Sequence, residues 1–199
     1  MGVTLAGGSP GLFVCRIGPD ITLRILEERH AEALFRLTEE NREHLREWLP
    51  WVDSNPSVEQ TRGFIRQGLQ QFAAGNGFHA GIWYKGRLAG VVGFHPIDWL
   101  NRKAELGYWL GAAFQGRGIM TRAVEAMLKY SFETLKLHRV EIRCAAENRR
   151  SRAVPERLGF TQEGVLRGAE RLHEGFVDHV VYGLLEEEWR ARRARLGVS

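Results

Sequence analysis

The segment Phe114–Met120 reads FQGRGIM and sets two glycines, Gly116 and Gly118, around an arginine just ahead of an apolar-rich helical stretch. Glycine inside a helix costs about 1 kcal/mol against alanine, so ahead of one it marks a sharp bend or a close approach of the backbone to something else. A strand ending at Leu110, the loop GAAFQGRG and then a helix aim free N–H groups and the positive end of the helix dipole outward. That is the construction of an anion site. Gln115 and Arg117 add side-chain donors. No Gly-Lys-Ser/Thr closes the loop, so it is not a Walker loop. Thr121 stands where the third glycine of G-x-G-x-x-G belongs, so it is not a dinucleotide fingerprint either. Taken alone, a phosphate cradle and a tight strand-to-helix turn both remain open.

A second stretch with chemical content is AAENRRS, directly after a strand-like RVEIRCA and before a short helix that closes on RLGF, where glycine suits a helix C-cap. It carries Asn148 and Ser151. The seven histidines show no metal spacing, and no cysteine or carboxylate cluster completes a site. Two cysteines, Cys15 and Cys144, are too few for a disulfide framework and fit a reducing cytoplasm. Cys144, in an apolar stretch, reads as a small buried hydrophobe rather than a nucleophile. The net charge of +4 and the pI near 9.4 suit an acidic ligand or a ribosome-associated partner. Part of that excess lies in WRARRARLGVS, which reads as a solvated, frayed helix tail rather than a nucleic-acid contact.

These residues need elements to hold them. ITLRIL (21–26) alternates as a half-buried strand does. Ala31, Leu34, Leu37, Leu45 and Leu49 keep a helical repeat that TEENRE interrupts and Pro50 ends. Ser57 caps a second helix running to Phe72, closed by Gly75 and Gly77. FHAGIWYKGRLAGVVGFHPI is a hairpin turning at Lys85-Gly86, and AELGYWL a third strand after DWLNRK. A helix from Gly118 to Leu135, the strand RVEIRCA, the helix SRAVPERLGF and the strands EGVLRGAERL and FVDHVVYGLL complete the order. The 199 residues contain no internal repeat and no linker long enough to divide domains, so a single α/β domain with a mixed central sheet is expected. No apolar run approaches the roughly 20 residues that cross a bilayer. The start, MGVTLAGGSPGLFVC, has neither a basic n-region nor a continuous apolar h-region and reads as a glycine-rich leader.

Five separated motifs in one order, ELGYWL, the Gln-x-x-Gly loop at Gln115 and Gly118, GIMTRAVEAML, ENRRSRAVPERLGF and EGVLRGAE, resemble the GNAT superfamily of N-acetyltransferases, in its RimJ/RimL-type ribosomal-protein branch. The resemblance runs from about Ile21 to Trp189. It implies a leader over 1–19, an N-acetyltransferase domain over 20–190 with helices flanking a sheet whose splayed strands hold acetyl-CoA, and a basic tail over 191–199. Two departures stand out. Met120 takes the place of the family's small residue, which would crowd a pyrophosphate loop, and Pro155 is compatible with its helix only in the first turn.

The same resemblance assigns roles. Backbone near Leu110 pairs with the pantetheine arm as an added strand, and backbone N–H groups of Gln115, Gly116, Arg117, Gly118, Ile119, Met120 and Thr121 hold the pyrophosphate. Asn148 hydrogen-bonds the arm from the far side. Acetyl transfer to an amine requires a neutral amine, a stabilised oxyanion and a protonated leaving thiolate. The family maps the first onto Glu170, the third onto Ser151, and the oxyanion onto a backbone N–H at the end of GYWL. Ser151 also suits a helix N-cap, Glu170 also suits a pairing with Arg167 or Arg171, and Glu105 in ELGYWL is a competing base. A protein α-amine, with a pKa of about 7.7–8.0 against about 10.4 for lysine, spares roughly 3.4 kcal/mol of deprotonation. One glutamate without a second strong base therefore suits a protein N-terminus led by serine or alanine. The partner implied is a ribosomal protein, with no direct nucleic-acid or membrane contact, and the chain itself a monomer or homodimer. Trp48 and Trp51, around Pro50, wall the acceptor side or belong to the core. A non-catalytic acyl-CoA-binding module and a small-molecule amine acetyltransferase are the alternatives; a module of the first kind has no need of Glu170 and Ser151.

Overall fold

The computed structural model describes residues 13–173 and 175–197. Eight strands form one sheet: β1 (Val14–Ile17), β2 (Ile21–Ile25), β3 (His79–Tyr84), β4 (Arg87–Phe94), β5 (Lys103–Leu110), β6 (Arg139–Ala145), β7 (Thr161–Leu172) and β8 (Gly175–Leu185). Their order is β1-β2-β3-β4-β5-β6-β8-β7, with β5–β6 the parallel pair and every other neighbour antiparallel. Six α-helices among the described residues accompany it: α1 (Ala31–Glu40), α2 (Arg42–Arg46), α3 (Val58–Ala73), α4 (Ile119–Lys129), α5 (Arg149–Leu158) and α6 (Glu186–Arg195). The mixed α/β domain expected from the sequence is the one observed.

Strand alternation divides the apolar residues between two faces. Trp83 and Val91 meet Ala31 and Leu34 of α1 and Ile65 of α3 in one cluster, while Ile82 and Val92 belong to a larger cluster with Ala123, Val124 and Met127 of α4. The α4 stripe Ile119, Met120, Ala123, Val124, Met127, Leu128 is wholly buried, and the helix continues past Lys129 as one π-turn to Thr134. Met120 therefore points into the core at 8% exposure, and its bulk does not crowd the loop. The helical repeat read over 31–49 is two helices, because Asn41 breaks it and turns its own amide onto Leu37 O at 2.8 Å.

Two boundaries and the place of Pro155 differ from the sequence reading. The leader read over 1–19 includes β1, held by its register with β2 and by Arg122 donating to Ile17 O at 2.8 Å; residues 1–12 of that leader lie outside the described residues. The tail read over 191–199 lies in α6 as far as Arg195, anchored by buried Trp189 against Phe132 at 5.3 Å, and its residues 198–199 lie outside the described residues. Its Arg192 donates to Leu158 O and Arg157 O at 2.6 and 3.0 Å, satisfying carbonyls at the C-terminal end of α5. Pro155 is the seventh residue of α5, not in its first turn. The helix accepts it because Ser151 O, the carbonyl left without an i+4 donor, takes the Tyr108 hydroxyl at 2.9 Å instead.

The end of β5 lies tight against β4: a Cβ on Gly90 would sit 2.2 Å from Trp109 O. Gly63, by contrast, lies in α3 with nothing within 4 Å of such an atom. Chemical denaturation should thus show opposite signs for one chemical change. Gly90→Ala is expected to destabilise by about 1–3 kcal/mol through overpacking, and Gly63→Ala to stabilise by about 0.5–1 kcal/mol through helix propensity.

Candidate active site

The pairing of β5 with β6 covers three positions, Lys103↔Arg139, Ala104↔Val140 and Glu105↔Glu141. Beyond Glu105, β5 follows β4 as far as Leu110↔Gly90, while beyond Glu141 β6 follows β8 as far as Ala145↔His179. The two strands diverge as a fork. Gly111 N donates to Ala89 O and Glu105 O accepts from His95 N, so odd-numbered residues of β5 turn their backbone groups toward β4. Alternation then turns the N–H and C=O of Tyr108 and Leu110 into the fork. The splay and the free edge near Leu110 match what the sequence resemblance implied.

The glycine loop closes one end of this fork. Gly116 and Gly118 have φ of +71° and +69°, a left-handed conformation that favours glycine, and neither faces an obstacle within 4 Å. Gly118 caps α4 without any side-chain hydrogen bond, and no acidic residue stands in the first turn. Arg122 N reaches back to Gly118 O at 3.1 Å, so the N–H groups of Ile119, Met120 and Thr121 are the orphan donors of the helix start. Arg117 is exposed beside them. Gln115 accepts from Arg150 at 2.9 Å through Oε1 and donates to His44 Nε2 at 2.7 Å, tying the loop to both α5 and α2. A phosphate group fits this end, where donors are open and no side chain fills the space.

At the other limb, α5 begins under Asn148, whose Oδ1 accepts from Ser151 N at 3.0 Å. Asn148 is the N-cap, so the capping role open to Ser151 from sequence falls to Asn148. The Ser151 hydroxyl lies 3.2 Å from Cys144 Sγ and 3.4 Å from the Tyr108 hydroxyl. Burial pushes the Cys144 thiol up, and loss of water holds the Tyr108 phenol well above its ordinary value. Both groups keep their protons, and Cys144, 3% exposed, is a buried thiol as read from the sequence.

Glu170 stands on β7, one strand beyond β8, and its Oε2 meets His179 Nε2 at 3.2 Å. Arg167 and Arg171 are not its partners among the described residues. His179 pairs in register with Ala145 at the end of β6, which sets the couple beside the fork on the side opposite α5. Glu105 points to the other face of β5 from Tyr108, where its Oε2 pairs with Arg143 at 3.3 Å, while Oε1 lies 3.9 Å from His95, beyond hydrogen-bond reach. Arg143 in turn bonds Glu141, and Arg139 joins Glu141 to Glu163, so Glu105 ends a ladder of alternating charge. No hydrogen bond links Glu170 to Ser151 or either of them to the glycine loop.

Above the fork lies the segment 41–53. Asn41 Oδ1 accepts from Ala112 N at 2.8 Å, and the Trp51 ring lies 6.0 Å from Trp109 on β5. Its far end holds the β7–β8 turn, where His173 contacts Arg46 at 3.1 Å and bonds Asp53. Trp51, 36% exposed, thus lies beside the fork rather than in the core. Sequence reasoning missed Tyr108, His44, Arg150 and His179. Tyr108 carried a usable signal, since it shares the face of Leu106 and Leu110; the others meet their partners only through the fold.

Residues 20–161 match the acetyltransferase (GNAT) domain family. The chain is 40% identical over 183 residues to the putative ribosomal N-acetyltransferase YdaF of Bacillus subtilis, covering 92% of this chain and 100% of that one. It is 31% identical over 167 residues to the ribosomal-protein-serine acetyltransferase of Escherichia coli, covering 84% and 93%. Among solved structures, the ribosomal L7/L12 α-N-protein acetyltransferase RimL, in complex with coenzyme A, superposes with a TM-score of 0.85 at 30% identity, over 88% of this chain and 99% of that one.

Two glycines separate strain from ligand contact. Gly118 and Gly86 both have positive φ, +69° and +78°, and both have nothing within 4 Å of a Cβ, but Gly86 sits in the β3–β4 turn. Alanine at either position should lower stability by about 1–2 kcal/mol. Calorimetric titration with CoA should find at least about a tenfold weaker Kd for Gly118→Ala alone, because the added Cβ enters the open space through which a phosphate reaches one charge-assisted backbone donor. Equal affinities would return the loop to a simple turn.

Proposed function

This chain belongs to the GNAT acetyltransferase family, and from that premise we propose that it transfers the acetyl group of acetyl-CoA to the α-amine of a protein N-terminus, led by serine or alanine, on a ribosomal protein. The observation that carries the reading is the fork. Its β5 edge offers unpaired backbone at Tyr108 and Leu110, with orphan N–H groups of α4 at one end and, at the other limb, a serine hydroxyl that rests on Cys144 and Tyr108 rather than on a helix carbonyl. The names of the relatives, a ribosomal-protein-serine acetyltransferase among them, supply the acceptor class.

Acetyl-CoA brings an acyl thioester, already activated toward amines; this chain's residues hold, orient and move protons. The backbone from Gln115 to Thr121 receives the pyrophosphate, where the helix dipole and the orphan donors favour negative charge. Backbone at Tyr108 and Leu110 pairs with the pantetheine amides as a strand would, and Asn148 faces that arm from α5. A backbone N–H of β5 that already points into the fork meets the carbonyl oxygen as it gains charge. Glu170 accepts the amine's proton through Oε1, the oxygen that His179 leaves unoccupied. Ser151 donates to the departing sulfur through its hydroxyl, which at rest makes only a long bond to the Tyr108 oxygen at 3.4 Å and a contact with Cys144. Glu105 is the less suited base because its carboxylate is already paired with the Arg143 guanidinium at the end of an ion-pair ladder. Segment 41–53, with Trp51 over Trp109, borders the entry for the amine.

Two measurements check this. Acetyl-CoA at about a hundred times its Kd should raise stability by about 2.7 kcal/mol, read as a higher Tm. With acetyl-CoA saturating and a serine-led peptide as acceptor, Glu170→Gln should lower the rate by about 10²–10⁴-fold. That deficit should shrink as pH rises toward the amine's own pKa, where more of the amine is neutral without help. Near-normal activity and an unchanged pH profile in Glu170→Gln would transfer the base role to Glu105 or to water.

A further inference from the structure

Ser151 is the third residue of α5, too near the helix start for its hydroxyl to rest on a helix carbonyl as three other hydroxyls of this protein do. Thr38, Thr61 and Ser131 each donate to the carbonyl four residues back, Leu34 O, Ser57 O and Met127 O, at 3.0, 3.3 and 2.8 Å. That is the ordinary resting place of a hydroxyl on a helix. Ser151 makes no such bond: its oxygen faces Cys144 and Tyr108 across the fork. Something holds it there.

The sequence supplies two parts of the answer on opposite limbs. Pro155 has no N–H, so the carbonyl four residues before it, Ser151 O, has no helical donor. Tyr108 reaches over from β5 and donates to that carbonyl at 2.9 Å. Position matters here. Tyr108 and Cys144 stand three residues beyond the last paired position, Glu105↔Glu141, at the same level of the fork. The tyrosine ring thus spans the opening, and its place on β5 is fixed by the flanking Gly107 and Trp109, whose backbone groups face β4. The phenol's one proton is committed to the carbonyl, so toward Ser151 Oγ, 3.4 Å away, its oxygen can only accept. One side chain therefore grips one residue twice, as donor to the carbonyl and as acceptor from the hydroxyl.

We propose that Tyr108 is a positioning residue for the Ser151 hydroxyl, and that Pro155 in the middle of α5 is there to free the carbonyl by which Tyr108 holds it. The grip on the hydroxyl is long and weak at 3.4 Å, while a thiolate would accept from it through a stronger charge-assisted bond. The serine is held in place at rest and released to a better acceptor when one forms. This rests on the reading of Ser151 as donor to the leaving sulfur.

A kinetic cycle tests it: Tyr108→Phe, Ser151→Ala and the double variant, with kcat and the KM for acetyl-CoA measured separately. Tyr108→Phe should lower kcat about fivefold, the loss of one hydrogen bond, at unchanged KM. In the Ser151→Ala background it should cost nothing further. Equal losses in both backgrounds, or no loss in either, would overturn the proposal. A Ser151→Ala enzyme of normal kcat would instead remove the donor reading on which it rests. Phenylalanine leaves a carbonyl unpaired, so the cycle is also run on Tyr108→Phe with Pro155→Ala, which restores the helical donor. That variant should regain the Tm lost by Tyr108→Phe but not its kcat. Recovery of both would reduce Tyr108 to a structural prop, and recovery of neither would sever the link to Pro155.

Discussion

A strand in a sheet offers two edges, and β5 fills one completely and the other for only three residues. Beyond Glu105 it is held by β4 and beyond Glu141 β6 is held by β8, so neither strand can close the gap. Unpaired backbone groups away from water are costly, and an open strand edge is a template for another extended chain. Every functional feature takes its position from that opening. The glycine loop follows directly from the end of β5, α5 from the end of β6, and the Glu170–His179 couple stands next to Ala145 at the tip of β6. Gly90 contributes from a distance, since only a residue without a side chain lets the end of β5 lie so near β4.

Charge is distributed to match. The helix start nearest the loop bears no acid in its first turn, and Arg117 and Arg150 stand by. Along the helix side of the fork the groups are neutral: Tyr108, Cys144 and Ser151 form a cluster in which burial disfavours ionisation. The opposite face of the same strands carries the ladder Glu105, Arg143, Glu141, Arg139 and Glu163, which spends its charges internally. A carboxylate with a free oxygen and a hydroxyl without a helical partner are thereby set on separate limbs. Acid–base chemistry with two distinct jobs requires that separation.

The glycine loop, the hairpin at Lys85-Gly86, the amphipathic α4 and the succession of strands and helices from Ile21 on were legible because each rests on local rules: turn chemistry, period-2 or period-3.6 alternation and capping. Val14–Ile17 was missed because four residues beside a glycine-rich stretch give too short an alternation to stand out. The basic end of the chain looked solvated because the sequence does not show that Arg192 meets the carbonyls of Leu158 and Arg157, which lie more than 30 residues away. Pro155 looked like a fault for the same reason: its remedy, Tyr108, is on another strand. In the site, residue types were readable and their partners were not. Glu170 and Ser151 stood out by motif, whereas His179 and Tyr108 acquire their roles only when β8 lies against β7 and β5 against α5.

The central claim is that the open edge of β5 and the start of α4 together form the acetyl-CoA site. Backbone amide hydrogen exchange, followed residue by residue with and without CoA, tests it most directly. The N–H groups of Tyr108, Leu110, Ile119, Met120 and Thr121 should exchange more slowly when CoA is bound, while those of Gly107 and Trp109, already turned toward β4, should change little. Protection confined to other parts of the chain, or spread equally over odd and even positions of β5, would contradict the account.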